Sequence, residues 1–181
     1  MLIIAVEGES DKGVVGALLN RLGKHADILL MRGNRPTKIA NKIVARTIKY
    51  VGKGIRIEKI IVLKDLHEYR EEVIRKHLET IKKRVQHLAR YYGIIVRYAI
   101  EAWILADVSC LQKTLGITTR QIDPESIERP NEYLDALFMK KNKRYVKSRT
   151  LLYELAKNID INTATKNSKS FREFIYALKD P

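Results

Sequence analysis

Between residues 2 and 98, short β-branched runs alternate with segments of helical period, and few folds accept that alternation. Leu2–Val6 and residues 28–31, 60–63 and 94–98 are predicted strands. Runs this apolar have no polar face, so they read as parallel strands covered on both sides. Helices are predicted over 12–22, from Pro36 to near Gly52, and over 69–91. Val14, Val15, Leu18, Leu19 and Leu22 form one apolar stripe, and Ile74, Leu78, Ile81, Val85 and Leu88 form another. The order βαβαβαβ predicts an α/β fold with a parallel sheet of about four strands, right-handed crossovers and helices on both faces. After Ala99 the pattern becomes helical, with segments at 100–106, 109–115, 130–137, 150–155 and 170–178. The expected layout is an α/β core over residues 1–99 and a mainly helical extension over 100–181, packed on the core.

Charge narrows the partners. Lys and Arg number 35 against 21 Asp and Glu, a net charge of +14, which favours polyanions and makes nucleic acid the expected partner. Cys110 is the single cysteine, so an internal disulfide framework and a multi-cysteine zinc site are excluded. No run approaches the ~18 apolar residues of a membrane span. The run at 1–6 is too short for a signal-peptide core and meets an acid at once. A cytoplasmic protein without membrane attachment is expected, and a homo-oligomer is left open.

Two of the predicted strands end in acid. Leu2–Val6 runs into Glu7-Gly8-Glu9-Ser10-Asp11, and 60–63 runs through Lys64 into Asp65-Leu66-His67. Open α/β sheets bind ligands at the carboxyl ends of their strands. Glu7 and Asp65 would therefore face a common edge, with His67 on the side of Asp65 if the chain stays extended. Carboxylate oxygens suit Mg²⁺ or Mn²⁺, and an imidazole nitrogen tilts the choice toward Mn²⁺. The same spacing equally fits two solvated acids at helix N-termini. Glu101, soon after the last strand, is a candidate third acid; Asp107 reads equally well as a cap for the helix at Ser109. Gly8 and Gly13 have the glycine spacing of a P-loop, but Val14 and Val15 stand where its Lys and Ser/Thr are required. Among the four histidines only His67 neighbours the acids. Trp103 reads as core. Arg32 and Arg35 follow the second strand at the same edge and are candidate phosphate contacts. Basic residues also lie along the 69–91 segment and at 140–149, where Lys147 is a candidate phosphate contact and a solvated loop is the equal alternative.

With these residues in place, the chain resembles the Toprim superfamily, the metal-dependent fold of topoisomerases, bacterial primases and overcoming-lysogenization-defect nucleases. That family places a Glu after its first strand and a DxD pair after its third. Here the two elements read Val6-Glu7-Gly8-Glu9-Ser10-Asp11 and Val62-Leu63-Lys64-Asp65-Leu66-His67. Within the superfamily the chain resembles a broad group of prokaryotic proteins built around a domain of unknown function. Their ordered segments are met here by Glu7 to Asp11, by Glu101-Ala102-Trp103-Ile104-Leu105-Ala106-Asp107, by Tyr145-Val146-Lys147 and by Ser168-Lys169-Ser170-Phe171. The resemblance implies a metal-dependent nuclease in which Glu7, Asp65 and Glu101 hold Mg²⁺ or Mn²⁺ and His67 serves as ligand or proton carrier. His67 departs from the pattern, standing where the second Asp is expected and removing one negative charge. The alternatives are a non-catalytic nucleic-acid-binding module on a degenerate core, or a protein-interaction component of a defence complex.

Overall fold

A computed structural model describes residues 1–33 and 35–181. Four strands form one parallel sheet: β1 (Leu2–Val6), β2 (Ala26–Leu30), β3 (Lys59–Asp65) and β4 (Arg90–Val96), in the order β2-β1-β3-β4. The connecting helices are α1 (Glu9–Arg21), α2 (Pro36–Val51) and α3 (Glu71–Val85). The chain moves outward from β1 to β2, then crosses back over β1 to β3. That reversal puts α1 on one face of the sheet and α2 and α3 on the other. It also makes the carboxyl ends of β1 and β3 the switch point, where such sheets open a crevice.

Alternation along the strands divides the core. Ile3 and Ala5 of β1 and Ile60 and Val62 of β3 pack against Ile39 and Ile43 of α2 and Ile74, Leu78 and Ile81 of α3. Ile4 and Val6, with Ile61 and Leu63, face the other way. There they meet α1 and the C-terminal helices α4 (Glu101–Leu105), α5 (Ser109–Leu115), α6 (Pro130–Met139), α7 (Arg149–Lys157), α8 (Ile161–Asn167) and α9 (Lys169–Lys179). Trp103 lies at the heart of this half, fully buried, as its size and apolar neighbours lead one to expect. Phe171 meets its ring edge-on at 5.4 Å, Phe174 stacks on it at 5.1 Å, and its Nε1 donates to Ser170 Oγ at 2.9 Å. Glu125 in turn accepts the backbone N–H of Lys169 and of Ser170, fixing the start of α9.

The boundary between α3 and β4 departs from the sequence reading. The helix expected to reach Tyr91 stops at Val85, and β4 begins at Arg90 rather than at Ile94. Leu88 still packs against the core after the helix has ended, which is why the apolar period carries past the true boundary. Gly93 lies within the strand, not before it. The Tyr91 ring lies across it, its hydroxyl donating to the Leu78 carbonyl at 3.0 Å. Asp107 serves as structure: its carboxylate accepts from the backbone N–H of Ser109 at 3.1 Å and of Asp160 at 2.6 Å. Of the expected turn after β2, Asn34 lies outside the described residues. No helix among the described residues is long and apolar enough to cross a membrane.

Candidate metal centre

Register brings the first group together. Ala5 pairs with Val62 in the parallel ladder, so two residues further on Glu7 stands beside Lys64. The Lys64 ammonium donates to Glu7 Oε1 at 2.9 Å, and His67 Nε2 lies 3.1 Å from Oε2. Lys64 is almost wholly buried, at 2% exposure, although it carries a charge. Burial pushes the Glu7 carboxyl up, but the bonds from His67 and Lys64 outweigh it and hold Glu7 below its ordinary value.

His67 reaches Glu7 by a route different from the expected one. The chain does not stay extended past Asp65. His67 has a left-handed backbone (φ 46°), held by Leu66 N–H donating to Val96 O at 2.9 Å and His67 N–H donating to Tyr98 O at 2.8 Å. Tyr98 (φ 59°) and Arg32 (φ 49°) share that conformation after β4 and β2. Three non-glycine residues in this region at one edge of a sheet mark it as a place where backbone strain is tolerated, as at functional sites.

Asp65 belongs to the other alternation, that of Ile61 and Leu63. It is buried at 4% exposure, and among the described residues no ion pair closes on it. Burial, Asp11, Glu7 and Glu101 all push its carboxyl well above its ordinary value, and Lys147 pulls it down. Asp11 sits in the first turn of α1, where its Oδ2 accepts from Gly8 N–H at 2.9 Å and its Oδ1 accepts from Ser10 Oγ at 3.2 Å. It is therefore a helix-capping acid and a member of the cluster at once. Burial, the largest influence, raises its carboxyl too.

Glu101 opens α4 and is fully buried. Its Oε1 accepts from the Tyr145 hydroxyl at 3.0 Å. The Lys147 ammonium lies 3.0 Å from Oε1 and 3.1 Å from Oε2. Burial alone would push the Lys147 ammonium down, but Glu101, Asp11 and Asp65 raise it above its ordinary value. The loop carrying Tyr145 and Lys147 is set by the packing of α7 on α1. A side chain at Gly13 would collide with the Arg149 carbonyl oxygen, so only glycine permits this approach.

The structure thus brings Glu7, Asp65 and His67 within 4.8 Å of one another, counting one ligand atom from each. Glu101 lies nearby with both oxygens engaged. Arg32 and Arg35 are exposed at the same edge, and among the described residues no ion pair holds either. A groove of about 1200 Å³ opens beside His67, lined by Tyr69, Arg97, Tyr98, Glu128, Arg129 and Glu132 among others. Sequence reasoning missed Lys64 and the second role of Asp11. The signal for Lys64 was a lysine within a run buried on both faces, which needs an acceptor, though only the pairing with β1 shows that the acceptor is Glu7.

The donor chemistry fits a divalent cation. Among the described residues Lys64 pairs with Glu7 and Lys147 with Glu101, and no lysine or arginine ion pair closes on Asp11 or Asp65, so two negative charges are left over when every carboxylate is ionised. Two carboxylate oxygens and an imidazole nitrogen converge where that charge is least compensated. No curated protein and no solved structure matches the chain. A family model matches residues 6–179, nearly the full length, and the chain belongs to that family, described as Domain of unknown function (DUF4276).

Proposed function

We propose that this protein is a Toprim-like phosphoesterase dependent on Mg²⁺ or Mn²⁺, a cytoplasmic nuclease acting on nucleic-acid phosphodiesters. The observation that carries the reading is the convergence of Glu7, Asp65 and His67 at the switch point of the sheet. A buried acid on which no ion pair closes among the described residues, beside a second acid and an imidazole, is expensive to maintain unless a cation binds there. When bound, the ion supplies polarisation of a phosphoryl oxygen and charge stabilisation of the leaving oxygen. The side chains supply the rest. Lys64 fixes Glu7 and keeps it ionised. His67, 46% exposed at the rim, is placed to exchange a proton between the site and solvent. Lys147, Arg32 and Arg35 offer cations to phosphate oxygens, and the net charge of +14 draws a polyanion toward them.

Cleavage of DNA and RNA panels with Mg²⁺ and Mn²⁺, by wild type, Glu7→Gln and Asp65→Asn, tests the reading. Activity is expected from wild type alone, and equal cleavage by all three proteins refutes the assigned site. A second reading, a non-catalytic nucleic-acid-binding module, is favoured by one observation: the Lys64 ammonium already neutralises Glu7 without any ion. It predicts binding with steep salt dependence that a chelator leaves unchanged.

A further inference from the structure

Four acids approach the switch point, yet they are not equally free to hold an ion. Glu7, Asp65 and His67 present converging ligand atoms. Glu101 does not, because Lys147 spans its two oxygens at 3.0 and 3.1 Å and Tyr145 caps one of them at 3.0 Å. Asp11 is committed to Gly8 N–H and Ser10 Oγ. The Lys147 ammonium is held by a fully buried carboxylate, while its side chain as a whole is 40% exposed. Its charge acts on Asp11 and Asp65 as well as on Glu101.

Resting on the metal-dependent reading above, we infer that Lys147 is a resident cation standing where a second divalent ion would otherwise sit, so the site takes one ion. The charge balance supports this. With Lys64 and Lys147 in place, one divalent ion neutralises the four carboxylates, whereas a second would leave an excess of positive charge in a buried setting. The geometry supports it too. An ammonium that spends two hydrogens on a carboxylate can offer its third to a non-bridging phosphate oxygen, the contact a second ion makes in paired-metal sites. Tyr145 and Glu101 are then positioning residues, holding the ammonium at a fixed point.

Counting bound Mn²⁺ tests the inference without reference to activity. Calorimetric titration and the electron paramagnetic resonance signal of free Mn²⁺ would be read on wild type, Lys147→Arg and Lys147→Met. We expect one ion on wild type and on Lys147→Arg, and two on Lys147→Met, where Glu101 is released as a ligand. Two ions on wild type, or one on all three proteins, overturns the inference and leaves the one-ion centre of Glu7, Asp65 and His67 standing. No ion on wild type overturns both. Should Lys147→Met fail to fold around the unpaired Glu101, the wild-type count still decides, since two ions there sink the inference.

Discussion

Replacing Asp65 by Asn should stabilise the ion-free protein while abolishing its response to divalent cation. Asp65 is buried at 4% exposure. Its ligand oxygen lies within 4.8 Å of that of Glu7, a separation at which two carboxylates repel by about 3.5 kcal/mol at an effective dielectric constant of ~20. Lys147, the Lys64 bond to Glu7 and partial protonation offset part of that, leaving an expected gain of about 1–2 kcal/mol for a neutral amide. In a chain of this length that is roughly 2–8 °C in Tm. Wild type should in turn gain about 2.7 kcal/mol from Mn²⁺ at a hundred times its Kd, and the variant almost none. Scanning calorimetry in chelator and in Mn²⁺ should therefore show the two proteins exchange rank. Asp65→Asn melting below wild type in chelator, or gaining as much from Mn²⁺, would refute the reasoning.

The pH dependence carries the same sign. Folding raises the Asp65 carboxyl well above its ordinary value of 3.8, so between 3.8 and the folded value the native state holds the extra proton. Wild-type stability then falls as pH rises across that interval. The asparagine variant lacks this slope, so its advantage is absent below about pH 3.8, opens above it, and is complete past the folded value. Mn²⁺ competes with that proton, and its affinity for wild type should climb over the same interval.

Other expectations follow from single contacts. Gly13→Ala drives a methyl group into the Arg149 carbonyl and should cost about 1–3 kcal/mol by overpacking, with activity falling further than stability because the Lys147 loop shifts. Thermal melts and cleavage rates on the same preparation separate the two effects. Ser170→Ala leaves the buried Trp103 N–H without its acceptor, a loss of about 1–3 kcal/mol that a melt should register. Cleavage by Ser170→Ala below its melting temperature should match wild type. Replacing Lys140, Lys141 and Lys143 with Ala should flatten the log–log salt dependence of nucleic-acid binding by about 0.7–0.9 for each lysine that meets a phosphate. An unchanged slope assigns that loop to solvent.

What the sequence made legible was whatever short-range pattern determines. The central strands are β-branched runs because both their faces are covered, and their acid-tipped ends are visible on inspection. Register then places Glu7 and Asp65 at the switch point without further information. Illegible features depend on what arrives from elsewhere in the chain. The turn that swings His67 toward Glu7 is set by the Val96 and Tyr98 carbonyls of the neighbouring strand end. Lys64 looked like one more residue of a strand until β1 supplied its carboxylate. The end of α3 was misread because Leu88 stays in the core after the chain has stopped being helical, although the Tyr91-Tyr92 pair was itself a strand signal. The helix Ile161–Asn167 went unseen because it buries only Ala164, too little apolar surface to leave a period.

The segments at 101–107, 145–147 and 168–171 divide between the acid cluster and its support. In the first, Glu101 enters the site, while Trp103, two residues on in the same short helix, is clamped by Phe171, Phe174 and Ser170. Asp107 pins the following helix to the chain at Asp160. The Ser168-to-Phe171 segment thus belongs to the support, packing on the tryptophan and leaving the acid cluster to other residues. Tyr145 and Lys147 close on Glu101 from a third direction. Glu101, Tyr145 and Lys147 therefore bring residues beyond 99 into the cluster, and the C-terminal helices also cover the sheet face of Ile4, Val6, Ile61 and Leu63. A sheet face that apolar cannot be left open to water. Residues 1–99 and 100–181 should accordingly unfold together, with calorimetric and van't Hoff enthalpies equal in one transition. Two separated transitions, with Mn²⁺ binding retained by the fragment 1–99, would show that the helical region shelters the site without helping to build it.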